Sequence, residues 1–205
     1  MSGDRIGQLD VSRETMDRLE TYVELLRKWN PRINLVSRRS LEDLWSRHFV
    51  DSAQLHSLAG QGAGSWVDMG SGGGFPGLVV AILGAEFTPE RSFTLIESDQ
   101  RKSAFLRTAI RETGVACNVI SQRIEAVQPQ GAAILSARAL ADLTALLAFS
   151  ERHLAPDGLA VFPKGANWKK EVDEARTEWR FDLDAITSWT EPDAAVLLIK
   201  GVTRE

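Results

Sequence analysis

The sequence predicts an α/β protein whose sheet is mostly parallel and which carries a helical extension at its N-terminus. Up to residue 60, apolar residues recur three and four positions apart, as they do along one face of a helix. After residue 64, short apolar runs alternate with helical stretches, and this alternation is typical of βαβ units with right-handed crossovers. We therefore expect a helical extension over residues 1–60, packed on an α/β domain over residues 61–205 to form one compact unit.

Two helices are predicted in the extension. Ser12 can cap the first, which Asn30-Pro31 should end, because proline disfavours a helical conformation in the residue before it. Ser40, paired with Asp43, can cap a second helix that reaches Leu55.

The α/β domain should contain seven strands and four helices. The predicted strands are 65–69, 92–97, 116–120, 132–136, 158–163, 181–188 and 195–200. The predicted helices are 76–84, 100–113, 139–154 and 167–178.

Composition narrows the class of protein. Of the 205 residues, 43% are hydrophobic and 25% are charged, which is typical of a globular chain. The apolar run from Leu78 to Leu83 is too short to cross a bilayer, and the N-terminus lacks the features of a secretory signal. With three histidines and the single cysteine Cys117, neither a metal site nor an internal disulfide is expected. These features favour a cytoplasmic protein that does not bind membranes.

A glycine-rich segment follows the strand 65–69 and runs from Gly70 to Gly77. Glycines allow a sharp turn and let a ligand approach the backbone closely. A P-loop is excluded, because Leu78-Val79 stands where lysine and serine or threonine are required. A dinucleotide fingerprint that starts at Gly70 fails at Phe75, although one that starts at Gly72 fits.

Charge is the better discriminator between ligands of this turn. Asp68 stands two residues before Gly70, and a carboxylate there would oppose a pyrophosphate but favour a cation. S-adenosylmethionine carries a sulfonium and an ammonium group and no phosphate. The pattern Asp-x-Gly-x-Gly-x-Gly resembles the cofactor loop of class I methyltransferases. We therefore expect S-adenosylmethionine to bind here, with Asp68, Gly70 and Gly72 in its site.

Two further turns lie at the same edge of the predicted sheet. Glu97 ends the strand 92–97, where an acidic side chain can accept both hydroxyls of a ribose. The next strand leads to Arg123-Ile124-Glu125. In class I methyltransferases the corresponding turn contacts the adenine, so the resemblance implies that Ile124 and Glu125 do so here.

Several segments, taken in order, resemble one family. They are Asn34-Leu35-Val36-Ser37, Arg47-His48-Phe49-Val50-Asp51-Ser52, Gly74-Phe75-Pro76-Gly77, Glu97 with Arg101 to Leu106, Arg123-Ile124-Glu125, Ser136-Ala137-Arg138-Ala139 and Lys164-Gly165. The set is similar to the bacterial 16S ribosomal RNA guanine-N7 methyltransferases of the glucose-inhibited division protein B type. One departure is Ala137, which separates Ser136 from Arg138 where many relatives have Ser-Arg-Ala, and it leaves the role of Ser136 open.

This resemblance implies a Rossmann-like, mostly parallel sheet of seven strands. It also implies cofactor contacts at Gly70, Phe75, Ile124, Glu125 and Arg138. The implied reaction is methylation of N7 of one guanine in the 530-loop of 16S rRNA.

The chemistry of this reaction limits the groups that it needs. Guanine N7 carries a lone pair and no hydrogen, so no general base is required. Arg138 follows the fourth predicted strand, where it can position the cofactor carboxylate or guanine O6. His48 and Asp51 lie one helical turn apart, and with Arg47 we expect them to fix the extension to the sheet.

The distribution of charge allows an RNA partner. The formal net charge is −4, but residues 27–48 contain six basic and two acidic side chains. Association depends on the local potential rather than on the total charge. The expected partner is 16S rRNA or a small-subunit intermediate, bound by a monomer. The candidate RNA contacts are Arg38, Arg39, Arg47, Arg123 and Lys164.

Other functions stay open at this point. A class I methyltransferase could act on another RNA, on a protein or on a small molecule. A non-catalytic RNA- or ribosome-binding module is disfavoured by the intact cofactor motif, and an NAD-dependent oxidoreductase is disfavoured by Asp68 and Pro76.

Overall fold

The computed structural model describes residues 4–205, apart from the side chains of Arg38 and Arg39. The extension begins with a hairpin and continues with helices. Its elements are β1 (Asp4–Ile6), β2 (Leu9–Val11), α1 (Arg13–Ile33), α2 (Arg38–Glu42), a π-helical turn (Trp45–Val50) and α3 (Asp51–Leu58).

The remaining chain alternates between strands and helices as predicted. Its elements are β3 (Gly64–Met69), α4 (Gly77–Phe87), β4 (Arg91–Ile96), α5 (Gln100–Thr113), β5 (Asn118–Ile120), β6 (Ala132–Ala137), α6 (Leu143–His153), β7 (Leu154–Lys164), α7 (Trp168–Ala175), β8 (Trp179–Thr187) and β9 (Ala195–Arg204).

The seven strands β3 to β9 form one sheet in the order β5-β4-β3-β6-β7-β9-β8. The pairs from β5 to β7 are parallel, whereas β9 is antiparallel to both β7 and β8. The expectation of a mostly parallel seven-stranded sheet is confirmed.

The extension departs from prediction at three places. The hairpin β1–β2 was not predicted. Helix α1 does not end at Asn30-Pro31 but continues to Ile33, because proline in the last turn removes only one intrahelical hydrogen bond. Asn34 then ends the helix in a left-handed conformation with φ 49°, and its N–H donates to Asn30 O over 3.0 Å.

The second predicted helix is divided. Ser37, not Ser40, caps its first part, and the Ser37 hydroxyl accepts from Ser40 N over 3.2 Å. The chain then widens into the π-helical turn before α3 begins at Asp51. Capping by Ser12 is confirmed, since its hydroxyl accepts from Thr15 N over 3.2 Å.

A shared apolar core joins the extension to the sheet. Tyr22 of α1 is fully buried, and its ring centroid lies 5.1 Å from that of Phe49, 5.4 Å from that of Phe75 and 6.3 Å from that of Phe105. The Tyr22 hydroxyl donates to Gly73 O in the glycine-rich turn. The apolar run from Leu78 to Leu83 is buried between the extension and the sheet. Across residues 4–205, no helix combines the length and apolar character that crossing a membrane requires.

Candidate functional site

A cleft opens at the carboxyl ends of β3, β4 and β6. Strand β3 pairs with β4 on one side and with β6 on the other, so the chain order reverses at this point of the sheet. Open α/β sheets bind ligands in the crevice at such a switch point. The cleft has a volume of about 480 Å³ and is lined by Gly70, Gly72, Glu97, Arg123, Ile124, Glu125, Leu140 and Phe149, among others. It therefore brings together most of the residues that the sequence assigns to a cofactor.

The glycine-rich turn needs its glycines for conformation and for space. Gly70 and Gly72 have φ values of 64° and 56°, a region that other residues rarely adopt. A Cβ on Gly70 would lie 2.5 Å from Leu140 Cδ1. A side chain at either position would strain the turn, and one at Gly70 would also disturb Leu140 in the wall of the cleft.

Glu97 holds the turn in place from the neighbouring strand. Its Oε2 accepts from Gly72 N over 2.8 Å, and its Oε1 accepts from Asp99 N over 2.7 Å. The residue is only 7% exposed. Both carboxylate oxygens are thus fixed, and each retains lone-pair capacity for a ligand in the cleft.

Asp68 lies beneath the turn, fully buried, rather than in the wall of the cleft. Ser136 Oγ donates to its Oδ1 over 2.7 Å, and Gly77 N donates to its Oδ2 over 3.2 Å. Burial raises the pKa of Asp68 to about 6, against the lowering effect of these hydrogen bonds. Asp68 thus joins β3 to β6 and to the start of α4, and its expected contact with the cofactor stays a prediction.

Ser136 belongs to the same hydrogen-bond network as Asp68. Its hydroxyl accepts from Trp66 Nε1 over 2.8 Å while donating to Asp68. The role that the sequence left open for Ser136 is therefore to connect two neighbouring strands.

Arg138 joins the sheet to the extension. Its Nη1 donates to Asp51 Oδ2 over 3.0 Å and to Arg47 O over 3.1 Å, and its Nη2 lies 2.5 Å from His48 Nδ1. The guanidinium carbon lies 5.1 Å from the centre of the Phe75 ring. The predicted structural network of Arg47, His48 and Asp51 is confirmed, with Arg138 at its centre.

The ring of Phe75 packs against Arg138 and His48 of this network. Its ring stacks on His48 with a centroid distance of 4.8 Å, and the residue is 4% exposed. Its place is in the core beside the cleft, so the cofactor contact implied by the resemblance stays a prediction.

A second cleft of about 430 Å³ adjoins the first and shares Ala139 and Ala141 with it. Its lining includes Arg47, Asp51 and Arg138, together with Lys164 and Glu171. The Lys164 ammonium contacts Glu171 Oε2 at 2.6 Å and Ala141 O at 2.9 Å. Its side chain is only 9% exposed, so this ammonium is bound within the protein, and the phosphate contact expected from the sequence stays a prediction.

Comparison with known proteins places the chain in a family. Residues 15–195 match the model of the family described as rRNA small subunit methyltransferase G. The chain belongs to this family. It is 63% identical over 196 residues to ribosomal RNA small subunit methyltransferase G of Ruegeria pomeroyi, with 96% of each chain covered. It is 47% identical over 197 residues to the protein of the same name in Cereibacter sphaeroides, again with 96% of each chain covered.

Solved structures place the fold among S-adenosylmethionine-dependent methyltransferases. A TehB-like SAM-dependent methyltransferase from Corynebacterium glutamicum has a TM-score of 0.57 at 17% identity, covering 90% of this chain and 98% of that one. A mutant of MtNAS in complex with S-adenosylmethionine has a TM-score of 0.60 at 15% identity, covering 91% of this chain and 75% of that one. The prediction of a class I methyltransferase fold is confirmed.

The candidate RNA contacts of this family member lie in different places. Arg47 is exposed at the second cleft, and Arg123 is exposed at the first. The side chains of Arg38 and Arg39 lie outside the described residues. In the part of the chain that the structure describes, no group of three or more histidine, cysteine, aspartate or glutamate side chains is arranged to hold a metal ion.

Sequence reasoning missed the contribution of the loop between β8 and β9. Gln54 Oε1 accepts from Trp189 N over 3.0 Å, and its Nε2 donates to Asp51 Oδ1 over 2.8 Å. Thr190 Oγ1 also lies 3.3 Å from Asp51 Oδ1. No local motif marks these residues, because the contacts join segments more than 130 positions apart.

The buried His48 predicts a dependence of stability on pH. Burial, with Arg138 and Arg47 nearby, lowers the pKa of His48 from 6.5 to about 3. The unfolded chain therefore binds a proton that the folded chain excludes, and stability is lost as the pH falls from about 6.5 towards 3. In His48→Gln, we expect the slope of unfolding free energy against pH in this range to decrease by up to about one proton per molecule.

Urea unfolding of the wild type and the variant at a series of pH values measures this slope. His56, whose pKa burial and Arg91 lower to about 4, contributes in both proteins and gives a remaining slope. Equal slopes in the two proteins would contradict the assignment.

Proposed function

We propose that the protein transfers a methyl group from S-adenosylmethionine to N7 of a guanine in the 530-loop of 16S rRNA. The observation that carries the proposal is the family match over residues 15–195, in a chain with one cleft at the switch point of a methyltransferase sheet and a second cleft beside it. The first cleft would hold the cofactor and the second the acceptor base. The proposed setting is the cytoplasm, with the protein acting as a monomer on the small subunit or an assembly intermediate.

The residues of the first cleft fit S-adenosylmethionine. The Glu97 carboxylate can accept from the ribose hydroxyls, as an acidic residue does at this place in dinucleotide-binding folds. Ile124 and Glu125 lie in a 3₁₀ turn, where free backbone N–H groups can meet an adenine edge. Leu140 and Phe149 add apolar surface. The volume lies within the usual range of about 300–1,000 Å³ for small-molecule sites.

The glycine-rich turn approaches this cleft with its backbone. Gly70 and Gly72 present no side chain there, and Asp68 beneath them adds negative charge to the region. A negative environment suits a ligand with a sulfonium and an ammonium group. When bound, S-adenosylmethionine supplies a methyl group on a positively charged sulfur.

The protein has little proton chemistry to perform. Guanine N7 has a lone pair and no hydrogen, so the main task of the chain is to hold the base in line with the methyl group. Arg138 contributes by fixing Asp51, His48 and Phe75, and therefore acts as a positioning residue. Carboxylates near the second cleft favour the positive charge that develops on the base.

RNA would approach across both cleft openings. Arg47 and Arg123 are exposed there and can contact phosphates. Arg38 and Arg39 belong with Arg47 to the basic segment 27–48, and we propose that they contact the RNA as well. Lys164 forms an ion pair with Glu171 inside the second cleft. We propose that Lys164 acts mainly by holding the Glu171 side chain in place there.

Transfer of label from methyl-labelled S-adenosylmethionine tests the proposal. The acceptors are small subunits that lack the modification, naked 16S RNA and free guanine nucleotides. We expect label in one of the two RNA forms, at N7 of a 530-loop guanine, located by cleavage at the methylated base. Label only in nucleotides or in protein would overturn the proposal.

Glu97→Gln should weaken cofactor binding. The amide places an NH₂ group opposite one of two backbone donors, Gly72 N or Asp99 N, and so disturbs the turn. We expect the dissociation constant for S-adenosylmethionine to rise roughly 10- to 100-fold, as measured by isothermal titration calorimetry. The control Glu112→Gln, on the exposed surface of α5, should bind as the wild type does. Unchanged affinity in Glu97→Gln would refute the role of this carboxylate.

Arg138→Ala should abolish most methyl transfer without unfolding the protein. The change releases the extension from the sheet at the second cleft, and a displaced acceptor base can lower the rate by on the order of 100-fold. Steady-state transfer and thermal unfolding measure the two effects. The control Arg180→Ala removes an exposed ion pair on β8 and should leave transfer unchanged. A near-normal rate in Arg138→Ala would show that the arginine does not position the site.

A further inference from the structure

Glu171 is the carboxylate of the second cleft for which the structure shows an unfilled accepting position. Its Oε2 contacts the Lys164 ammonium at 2.6 Å and accepts from Leu143 N over 2.9 Å. Among the described residues, the hydrogen bonds to this side chain go to Oε2, and Oε1 keeps its lone pairs. The side chain is 24% exposed and lines the cleft. The ion pair thus fixes one oxygen and leaves the other available to a ligand.

Asp51, the other half-buried carboxylate of the second cleft, already accepts hydrogen bonds at both of its oxygens. Asp51 Oδ2 accepts from Arg138, and its Oδ1 accepts from Gln54 Nε2 over 2.8 Å and from Thr190 Oγ1 over 3.3 Å. Asp43 and Glu191 also line the cleft, but both are exposed. A hydrogen bond is stronger where water is excluded. Of these four carboxylates, Glu171 is therefore the best placed to recognise a base by a hydrogen bond.

The shape of guanine places the edge of the base that lies opposite N7 next to Glu171 Oε1. N7 and the Watson–Crick edge lie on opposite sides of the purine. If N7 faces the first cleft across Ala139 and Ala141, the Watson–Crick edge extends into the second cleft, where Lys164 and Glu171 lie. That edge of guanine presents two donors, N1–H and the 2-amino group, whereas adenine presents an acceptor at N1.

We infer that Glu171 Oε1 accepts a hydrogen bond from the 2-amino group of the target guanine and selects guanine over adenine. The inference rests on the proposed function and adds the residue that reads the base. Methylation at N7 makes the purine cationic and its amino group a stronger donor. The hydrogen bond therefore strengthens as the reaction proceeds, and it contributes to rate as well as to selection.

The substitution Glu171→Gln reverses the chemistry of this position with little change in size. Lys164 Nζ and Leu143 N are both donors, so they hold the amide oxygen at the place of Oε2. The amide NH₂ then takes the place of Oε1 and opposes the guanine amino group. Loss of activity alone would not separate this effect from a disturbed ion pair, so the substrate must be varied as well.

The test compares guanosine with inosine, which lacks the 2-amino group, at the target position of small subunits reconstituted with the altered 16S RNA. For the wild type, we expect kcat/KM for methyl transfer to be roughly 10- to 100-fold higher with guanosine. For Glu171→Gln, this preference should fall to within about threefold, since a hydrogen bond of this size is lost. Any effect of inosine on RNA folding is common to both enzymes and cancels in the comparison.

The control is Glu174→Gln, on the same helix, where Glu174 forms an exposed pair with Lys170. It should keep the full preference for guanosine. The inference is overturned if the wild type shows no preference, or if Glu171→Gln keeps the wild-type preference. Failure of the proposed function is a separate result, because the wild type would then leave unmodified subunits without methyl at N7.

Discussion

The contact of Arg138 with Asp51 and His48 is the interaction on which the arrangement of both clefts depends. Arg138 follows β6, whereas its partners lie at the junction of the π-helical turn and α3. Both side chains of the ion pair are 16% exposed, so neither charge is well hydrated and each depends on the other. One guanidinium thereby sets where the extension stands relative to the carboxyl ends of the strands.

A second set of contacts prepares the cofactor cleft from below. Glu97 holds Gly72 and Asp99 by their backbone N–H groups, and Asp68 holds Gly77. These hydrogen bonds are made between groups of the protein itself, and they fix the conformation of the turn. Such preorganisation lowers the entropic cost of binding. Rigid backbone contacts, rather than reactive side chains, are what a methyl transfer to an unprotonated nitrogen requires.

The sequence predicted the fold well where structure is local and periodic. Strands 65–69 and 132–136 and helix 100–113 agree with the structure to within one residue. Errors arose where a side chain satisfies backbone groups beyond the predicted end of an element. The side chain of Asn30 bonds both backbone groups of Val36, at 2.8 and 3.1 Å, and supports the turn in which helix α1 passes Pro31 and ends.

In the candidate site, too, the predictions agree with the structure where the position of a residue is encoded locally. Gly70, Gly72, Glu97, Ile124 and Glu125 line the first cleft as predicted, since strand order and loop position are encoded locally. The burial of Asp68, the pairing of Lys164 with Glu171 and the bond from Gln54 to Trp189 depend on segments distant in sequence or on depth in the fold. A single sequence carries no signal for such contacts, and a charged residue looks the same whether it meets a phosphate or a buried partner.

The antiparallel strand β9 has a consequence for biosynthesis. It lies between β7 and β8 although it follows both in the chain. During translation, β7 and β8 therefore emerge from the ribosome with facing edges unpaired, and unpaired edges invite association with other chains. The sheet is completed only when β9 is inserted, so a nascent chain that stalls before residue 195 leaves an open slot between β7 and the edge strand β8.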